Sequence, residues 1–169
     1  MKVQVTSKSA LLDSLPPIWP TALLPTIQEQ NRANGRVLVV LDDDPTGTQT
    51  VYDLPVLTEW SVDALQAEFQ RGTPTFYILT NSRSLPLPAA QALNREIATN
   101  LLGAAQVTGT DFAVVSRSDS TLRGHFPGET DARAAALGQQ VDATLIIPFF
   151  WRVDGLRSRI SIGWPKVIS

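Results

Sequence analysis

The sequence predicts an α/β fold, a Rossmann-like three-layer domain with a mostly parallel sheet that is incomplete within this chain. Three branched apolar runs, RVLVVL, TFYILT and FAVVS, have the composition of strands buried on both faces. Helical segments lie between them, and strands that alternate with helices favour a parallel sheet covered on both faces. The 169 residues, 43% of them hydrophobic, are enough for one compact domain with a core.

The N-terminal residues 1–35 are expected to form an irregular arm. Four prolines fall among the first 25 residues, and this density of proline allows short helical turns at most. The pattern becomes regular at residue 36, where the first strand is predicted over 36–41. We therefore place the domain itself at residues 36–150.

The elements in the middle of the chain follow in order. Residues 55–60 predict a second strand or an extended connection, and Ser61 stands where the N-cap of a helix over 62–71 is expected. A third strand is predicted over 75–80. Pro88 then opens a longer helix, because proline is well suited to the first turn.

The last elements complete the alternation. Gly109 is expected to stop the long helix, and the predicted elements after it are a strand at 112–116, a helix at 129–140 and a strand at 143–150. The tail at 151–169 has no clean period and carries four basic residues against one acid. It breaks the pattern of the domain.

Composition and charge exclude several function classes. A formal charge of −2 and a pI near 5.3 give no electrostatic footprint for nucleic acid or an anionic membrane. The absence of cysteine excludes disulfides and thiolate zinc sites, and one histidine, His125, cannot build a multi-histidine metal site. Without a convincing signal peptide or an apolar span, we expect a cytoplasmic protein whose partner is a small molecule.

Three polar loops follow predicted strands. They are DDDPTGTQ at 42–49, NSRSLP at 81–86 and RSDSTLRGH at 117–125. In an open α/β sheet, ligands bind beyond the carboxyl ends of the strands, where loops present side chains and helices present unpaired N–H groups. These loops are therefore the candidate site.

The first loop offers three adjacent carboxylates, Asp42, Asp43 and Asp44, followed by Thr46 and Gly47. Such a set is suited to binding several hydroxyls, deprotonating one of them, or holding a magnesium ion. The alternative is an Asp-Pro turn whose acids only cap loop N–H groups. Against that alternative, three acids in a row repel one another unless a cation lies nearby.

The other two loops supply cations and hydroxyls. Their candidate residues are Asn81, Ser82 and Arg83 in the second loop and Arg117, Asp119, Ser120, Thr121, Arg123 and Gly124 in the third. Arginines can fork onto a carboxylate, and Ser and Thr suit polyol hydroxyls. Alternatively, the arginines form internal ion pairs that tie the loops together. A lone His125 is more often structural than catalytic.

At these residues the chain resembles the four-carbon acid sugar kinase family. The agreeing stretches are LVVLDDDPTGTQTV, PVLTEW, FYILTNSRSLP, LNREIATNL, FAVVSRSDSTLRGHFPGETDA and LIIPFF. The resemblance implies a two-domain enzyme whose N-terminal domain binds a sugar acid and whose C-terminal domain binds ATP with Mg²⁺. Asp43, Asp44, Thr46 and Gly47 match its Asp-Asp-x-Thr-Gly element, and residues 119–124 match its Asp-Ser-Thr-Leu-Arg-Gly element.

Two departures from the family accompany the resemblance. Many members have Lys-Ile where this chain has Arg117-Ser118, which leaves the substrate's identity open. Similar proteins continue after PFF with an EGGR segment, and codons exist that encode WRVDGLRSRISIGWPKVIS in one frame and EGGRLTLANLHWVAKGDQ when shifted by two nucleotides. We therefore expect residues 151–169 to be a frameshifted tail of a truncated product, which the genomic DNA beyond codon 150 would decide.

Two other functions remain open. Asp42-x-Asp44-x-Thr46 after an apolar strand, with ILTN at 78–81, imitates the motifs of haloacid-dehalogenase-like phosphatases, whose chemistry uses an aspartate nucleophile. That chemistry also needs a later lysine and a late acidic pair. Lysine occurs only at positions 2, 8 and 166, and no such pair is present. The other alternative is a sugar-acid-binding remnant without catalysis.

The sequence therefore predicts the substrate domain of a kinase that phosphorylates a hydroxyl of a four-carbon sugar acid. Asp43 and Asp44 are the expected catalytic residues, Asp42 contributes to substrate binding, and one of the arginines holds the carboxylate. No metal ligand is assigned within this chain, and ATP and Mg²⁺ belong to the full-length enzyme. The chain alone is expected to be inactive. A homodimer, the particular acid and the hydroxyl that is phosphorylated stay open.

Overall fold

The computed structural model describes residues 20–118, 123–138 and 143–146, together with the single positions Asp13 and Pro17. The tail at 151–169 and three of the candidate residues, Asp119, Ser120 and Thr121, lie outside the described residues. The chain divides into two compact units, Met1–Arg36 and Val37–Ser169.

The first unit contains a helix, α1, at Leu24–Asn34. Pro25 lies in its first turn, where the missing N–H costs nothing, and Gly35 ends it with a left-handed φ of 60°. The expectation of an irregular arm with short turns at most is therefore wrong for this segment. The pattern gave no warning, because every residue of α1 is exposed and no apolar stripe marks it.

The second unit is built on four strands: β1 at Val37–Asp42, β2 at Val56–Leu57, β3 at Thr75–Leu79 and β4 at Phe112–Arg117. Their order in the sheet is β2-β3-β1-β4, and all three neighbouring pairs are parallel. The predicted α/β class with a parallel sheet is confirmed. The segment at 55–60 is mostly an extended connection, since only two of its residues pair.

Three helices alternate with these strands: α2 at Val62–Arg71, α3 at Leu87–Thr108 and α4 at Gly128–Ala136. The hydroxyl of Ser61 accepts the backbone N–H of Ala64 at 3.3 Å, so the predicted N-cap of α2 is confirmed. None of the helices in the described parts of the chain combines the length and the apolar character that crossing a membrane requires.

The core lies between one face of the sheet and helices α2 and α3. Side chains alternate along a strand, so every second residue points to that face. Its buried members among the described residues are Val37, Val39, Leu41, Phe76 and Ile78 from the strands and Leu65, Phe69, Ile97, Leu101, Ala104 and Ala105 from the helices. The rings of Phe69 and Phe76 meet edge to face, with centroids 5.7 Å apart.

The C-terminal part of the domain differs from the prediction. Helix α4 ends at Ala136 rather than at residue 140, because Gly138 follows with a left-handed φ of 64°. Residues 143–146 are not a strand, and the side chain of Leu145 is 83% exposed. An apolar run needs a paired neighbour to become a strand, and no described residue pairs with this one. The other half of that predicted strand, 147–150, lies outside the described residues.

Candidate functional site

The strand order brings the candidate loops together. Strand β1 lies between β3 and β4, and Asp42 at its end is in register with Leu79 on one side and Arg117 on the other. The acidic loop after β1 is therefore flanked by the loops that follow β3 and β4. Because the strands are parallel, all three loops leave the same edge of the sheet.

The acidic loop folds as a turn held by its own carboxylates. Oδ1 of Asp42 accepts the backbone N–H of Asp44 at 3.2 Å, and Oδ1 of Asp44 accepts that of Thr46 at 3.0 Å. The N–H of Gly47 then donates to the carbonyl of Asp44 at 2.9 Å. The reading of this segment as an Asp-Pro turn with capping acids is thus correct as far as the backbone is concerned.

The remaining carboxylate oxygens reach the neighbouring loops. Asp42, Asp43 and Asp44 are 0%, 5% and 4% exposed, so their charges need partners inside the protein. Asp42 pairs with Arg117, with Oδ1 and Nη1 3.2 Å apart, and Asp44 pairs with Arg83. Oδ2 of Asp43 accepts the hydroxyl of Ser118 at 2.6 Å. We call these three aspartates with Arg83, Arg117 and Ser118 the carboxylate cluster.

The pKa values of two aspartates in the cluster are shifted in opposite directions. Burial raises the pKa of Asp42 above its usual value, although the N–H of Asp44 and the guanidinium of Arg117 partly oppose this. The pKa of Asp44 is lowered, mainly because its carboxylate accepts the backbone N–H of Thr46, with Arg83 contributing. Neighbouring carboxyl groups with opposite shifts are typical of functional sites.

Oδ2 of Asp42 is a buried oxygen of the cluster that has no hydrogen-bond partner among the described residues. It faces Gly47, where an added Cβ would overlap the carboxylate of Asp42. Glycine at this position therefore keeps the backbone in direct contact with the cluster.

Gly124, in the loop after β4, makes a second close approach. A Cβ at this position would overlap the hydroxyl of Ser118 and would come to 2.8 Å from Oδ2 of Asp43. Gly47 and Gly124, both predicted from the sequence to lie in the site, thus lie directly against the aspartates, where a residue with a Cβ would clash.

The loop after β3 contributes unevenly. Arg83 reaches Asp44 through its side chain and the carbonyl of Asp43 through its N–H at 3.3 Å. The side chain of Ser82 is instead buried against Thr80, with the two hydroxyl oxygens 3.0 Å apart. Asn81 is exposed and starts the turn with a left-handed φ of 52°. Ser82, as the structure has it, supports the loop and does not present its hydroxyl to solvent.

Two contributing residues were missed by the sequence reasoning. The hydroxyl of Thr80 donates to the carbonyl of Asp42 at 3.0 Å, and Ser118 binds Asp43. Thr80 is the polar residue at the C-terminal end of the run TFYILT, directly before the second polar loop, which was a usable signal. Ser118 was noted only as a departure from the family pattern. Thr46 and Arg123, which were predicted, are exposed at the rim.

The model of a family described as "Sugar-binding N-terminal domain" matches residues 38–154, which is more than half of the chain. The chain belongs to this family. The sugar-binding domain is the N-terminal domain of the four-carbon acid sugar kinase family, so the resemblance seen in the sequence is confirmed. No curated protein and no solved structure matches the chain.

The carboxylates of the acidic loop lie against arginines. Asp42 and Asp44 contact guanidinium groups. Among the described residues, no group of three or more aspartate, glutamate or histidine side chains is arranged to share a metal. Two arginines therefore offset part of the charge of the three aspartates, and the loop combines charged and hydrogen-bonding groups.

Proposed function

We propose that the sugar-binding domain takes a four-carbon sugar acid at the carboxylate cluster. The observation that carries this proposal is the convergence of carboxylates, arginines and a serine hydroxyl from three loops at one edge of the sheet. A sugar acid offers one carboxylate and several hydroxyls. It therefore complements arginines with its charge and aspartates with its O–H donors.

Binding would proceed by an exchange of partners. A substrate carboxylate competes with Asp42 for Arg117, or with Asp44 for Arg83, and the aspartate that loses its arginine then accepts a hydroxyl of the substrate. The exchange leaves no buried charge without a partner, and unpaired buried charge is the costly outcome. The side chain of Arg117 is 37% exposed, so it is accessible for this exchange.

In the complete enzyme, Asp43 and Asp44 are the proposed catalytic residues. The proposed reaction transfers the γ-phosphate of ATP to a substrate hydroxyl, with Mg²⁺ as the usual partner of ATP. The roles proposed for the described residues involve neither the metal nor the nucleotide. The part of this chain would be to hold the hydroxyl in place and to accept its proton through an aspartate.

The phosphatase alternative is disfavoured by burial. It requires Asp42 as a nucleophile that attacks phosphorus, but Asp42 is 0% exposed and its carboxylate contacts the N–H of Asp44 and the guanidinium of Arg117. A sugar-acid-binding protein without catalysis remains an outcome that the test below separates.

Titration calorimetry with the purified chain tests the proposal. We expect erythronate or threonate to bind and the corresponding uncharged tetritols to bind at least about tenfold more weakly, since they lack the charge-assisted pair with arginine. Equal affinity for acid and polyol would remove the arginine from the proposal. Turnover of the acid by the chain in the presence of ATP and Mg²⁺ would exclude a binding protein without catalysis, and hydrolysis of phosphate esters without nucleotide would favour the phosphatase.

A further inference from the structure

His125 connects two of the loops that form the carboxylate cluster. It follows Gly124 in the loop after β4, and its ring nitrogen Nε2 lies 2.8 Å from the carbonyl oxygen of Leu85. A carbonyl can only accept, so Nε2 carries the proton in this contact. Leu85 belongs to the other loop, the one that follows β3. The imidazole thus joins the two loops that flank the acidic turn.

The Leu85 end of this contact belongs to the turn that presents Arg83. The N–H of Leu85 donates to the carbonyl of Ser82 at 3.0 Å, which closes the turn Ser82–Ser84. Within the same turn, Arg83 pairs with Asp44 and donates its N–H to Asp43. A restraint on Leu85 is therefore a restraint on the turn from which the Arg83 side chain extends towards Asp44.

The other end belongs to the backbone that lies against Asp43. A Cβ at Gly124 would overlap Ser118 and Asp43, so the backbone of this residue packs directly against both side chains. The carbonyl of His125 accepts the N–H of Glu129, which anchors the residue to the first turn of α4. The backbone of His125 is thus held by α4, while Nε2 of its imidazole reaches the loop that follows β3.

From this geometry we propose that His125 is a positioning residue of the site, which holds the Arg83–Asp44 half of the carboxylate cluster in register with the Ser118–Asp43 half. This inference rests on the proposed function as far as the ligand is concerned. Its physical content is that one hydrogen bond between loops keeps the arginine and the aspartate at the spacing that a sugar acid spans. Strand order brings the loops together, and the imidazole fixes their separation.

Three variants separate this role from a contribution to stability alone. His125→Gln keeps an N–H donor at the distance of Nε2, whereas His125→Met has a similar length and no donor. Thr108→Val is the matched control, because Thr108 makes a side-chain hydrogen bond to Thr110 at the opposite end of the sheet, 2.8 Å long. The readouts are the dissociation constant for erythronate or threonate and the hydrogen-exchange rates of the backbone amides of residues 43, 83 and 85.

We expect His125→Met to weaken binding about fivefold, the effect of one hydrogen bond to a backbone carbonyl, and to accelerate exchange at residues 83 and 85. His125→Gln should bind within about twofold of the wild type, and Thr108→Val should change neither readout at the site. If His125→Met does not fold, His125→Asn replaces it, because its amide is one methylene too short to reach Leu85.

The outcomes distinguish this inference from the proposed function. If wild-type protein binds no sugar acid, the proposed function fails, and the exchange rates alone decide whether His125 ties the loops. Wild-type affinity and unchanged exchange in His125→Met would overturn the inference. Equal losses of affinity in His125→Gln and His125→Met would overturn it as well, since the donor would then be irrelevant.

Discussion

The apolar residues of β1 and the aspartates that follow them are equally buried but chemically opposite. Val37, Val39 and Leu41 are 7%, 0% and 3% exposed, and the three aspartates that follow are within the same range. The apolar residues gain free energy by leaving water, at roughly 25 cal/mol for each Å² of apolar surface. The aspartates lose hydration, and this cost is offset by hydrogen bonds within the acidic loop and by partners from neighbouring loops. Burial therefore contributes stability along the strand, whereas in the acidic loop it requires specific partners.

The partners of the acids explain how this arrangement is tolerated. Each aspartate has a side-chain partner at the end of a neighbouring strand or in the loop that follows it. For Asp42 and Asp44 that partner is an arginine, and a buried ion pair adds little net stability compared with apolar packing. The carboxylate cluster is therefore expected to contribute less to stability than the apolar core does. Substitutions in the core should affect folding most, whereas substitutions in the cluster should affect folding less and the proposed ligand binding more.

The largest expected effect is on folding, from Phe76→Ala in the core. Phe76 is 0% exposed and stacks edge to face with Phe69, so removal of its ring should lower the free energy of unfolding by about 3–5 kcal/mol. Val115→Ala on β4 is the control, because Val115 is 45% exposed and its loss should cost less than about 1 kcal/mol. Chemical denaturation measures both. Similar losses in the two variants would contradict the placement of the core.

A smaller effect on folding is expected from Arg117→Met, which leaves the buried carboxylate of Asp42 without its cation. Loss of that partner should cost about 1–3 kcal/mol of unfolding free energy. Adding Asp42→Asn removes the unpaired charge, so the double variant should recover part of the loss. A double-mutant cycle in urea measures the coupling. Strictly additive effects would show that Asp42 and Arg117 do not interact.

Asp43→Asn should weaken ligand binding without a large change in stability. The amide keeps the shape and can still accept the hydroxyl of Ser118, so we expect the free energy of unfolding to change by less than about 1 kcal/mol. The affinity for the sugar acid should fall about tenfold or more, because a charged acceptor is lost. Asp63→Asn, exposed in the first turn of α2, serves as the control and should bind as the wild type. Unchanged affinity would remove Asp43 from the site.

The smallest effect is a pH dependence that belongs to Asp42. Its pKa is higher in the folded protein than the reference value of 3.8, so its contribution to stability is present below that value and declines as the pH rises through the folded pKa. The unfolding free energy of Asp42→Asn should therefore increase relative to that of the wild type as the pH rises. Asp44, whose pKa is lowered, has the opposite dependence in both proteins and cancels in the difference. A difference that does not vary with pH would show that the folded pKa of Asp42 is not raised.

The sequence predicted the regular part of this fold well because its signals are local. Branched apolar runs located β1, β3 and β4, and Ser61 located the start of α2. Local signals were insufficient elsewhere. Helix α1 lacks an apolar face, and residues 143–146 have the composition of a strand without a described partner. A strand depends on its neighbour, which composition does not specify.

The site was predicted as a set of loops but not as a set of contacts. That Asp44 meets Arg83 and Asp42 meets Arg117 follows from the position of β1 between β3 and β4, and the sequence does not state this order. The orientation of Ser82 towards Thr80 and the reach of His125 to Leu85 also depend on tertiary packing. Residue types indicated the chemistry, whereas the pairing required the fold.

The most direct test of the central claim is a map of sugar-acid binding on the folded chain. In a titration of ¹⁵N-labelled protein with threonate or erythronate, we expect backbone amide shifts concentrated at Asp43, Asp44, Arg83 and Ser118, with little change at Val37, Thr75 and Phe112 at the other end of the strands. Shifts centred on that opposite end, or none at saturating acid, would contradict the account that the buried acids of β1 form the ligand site.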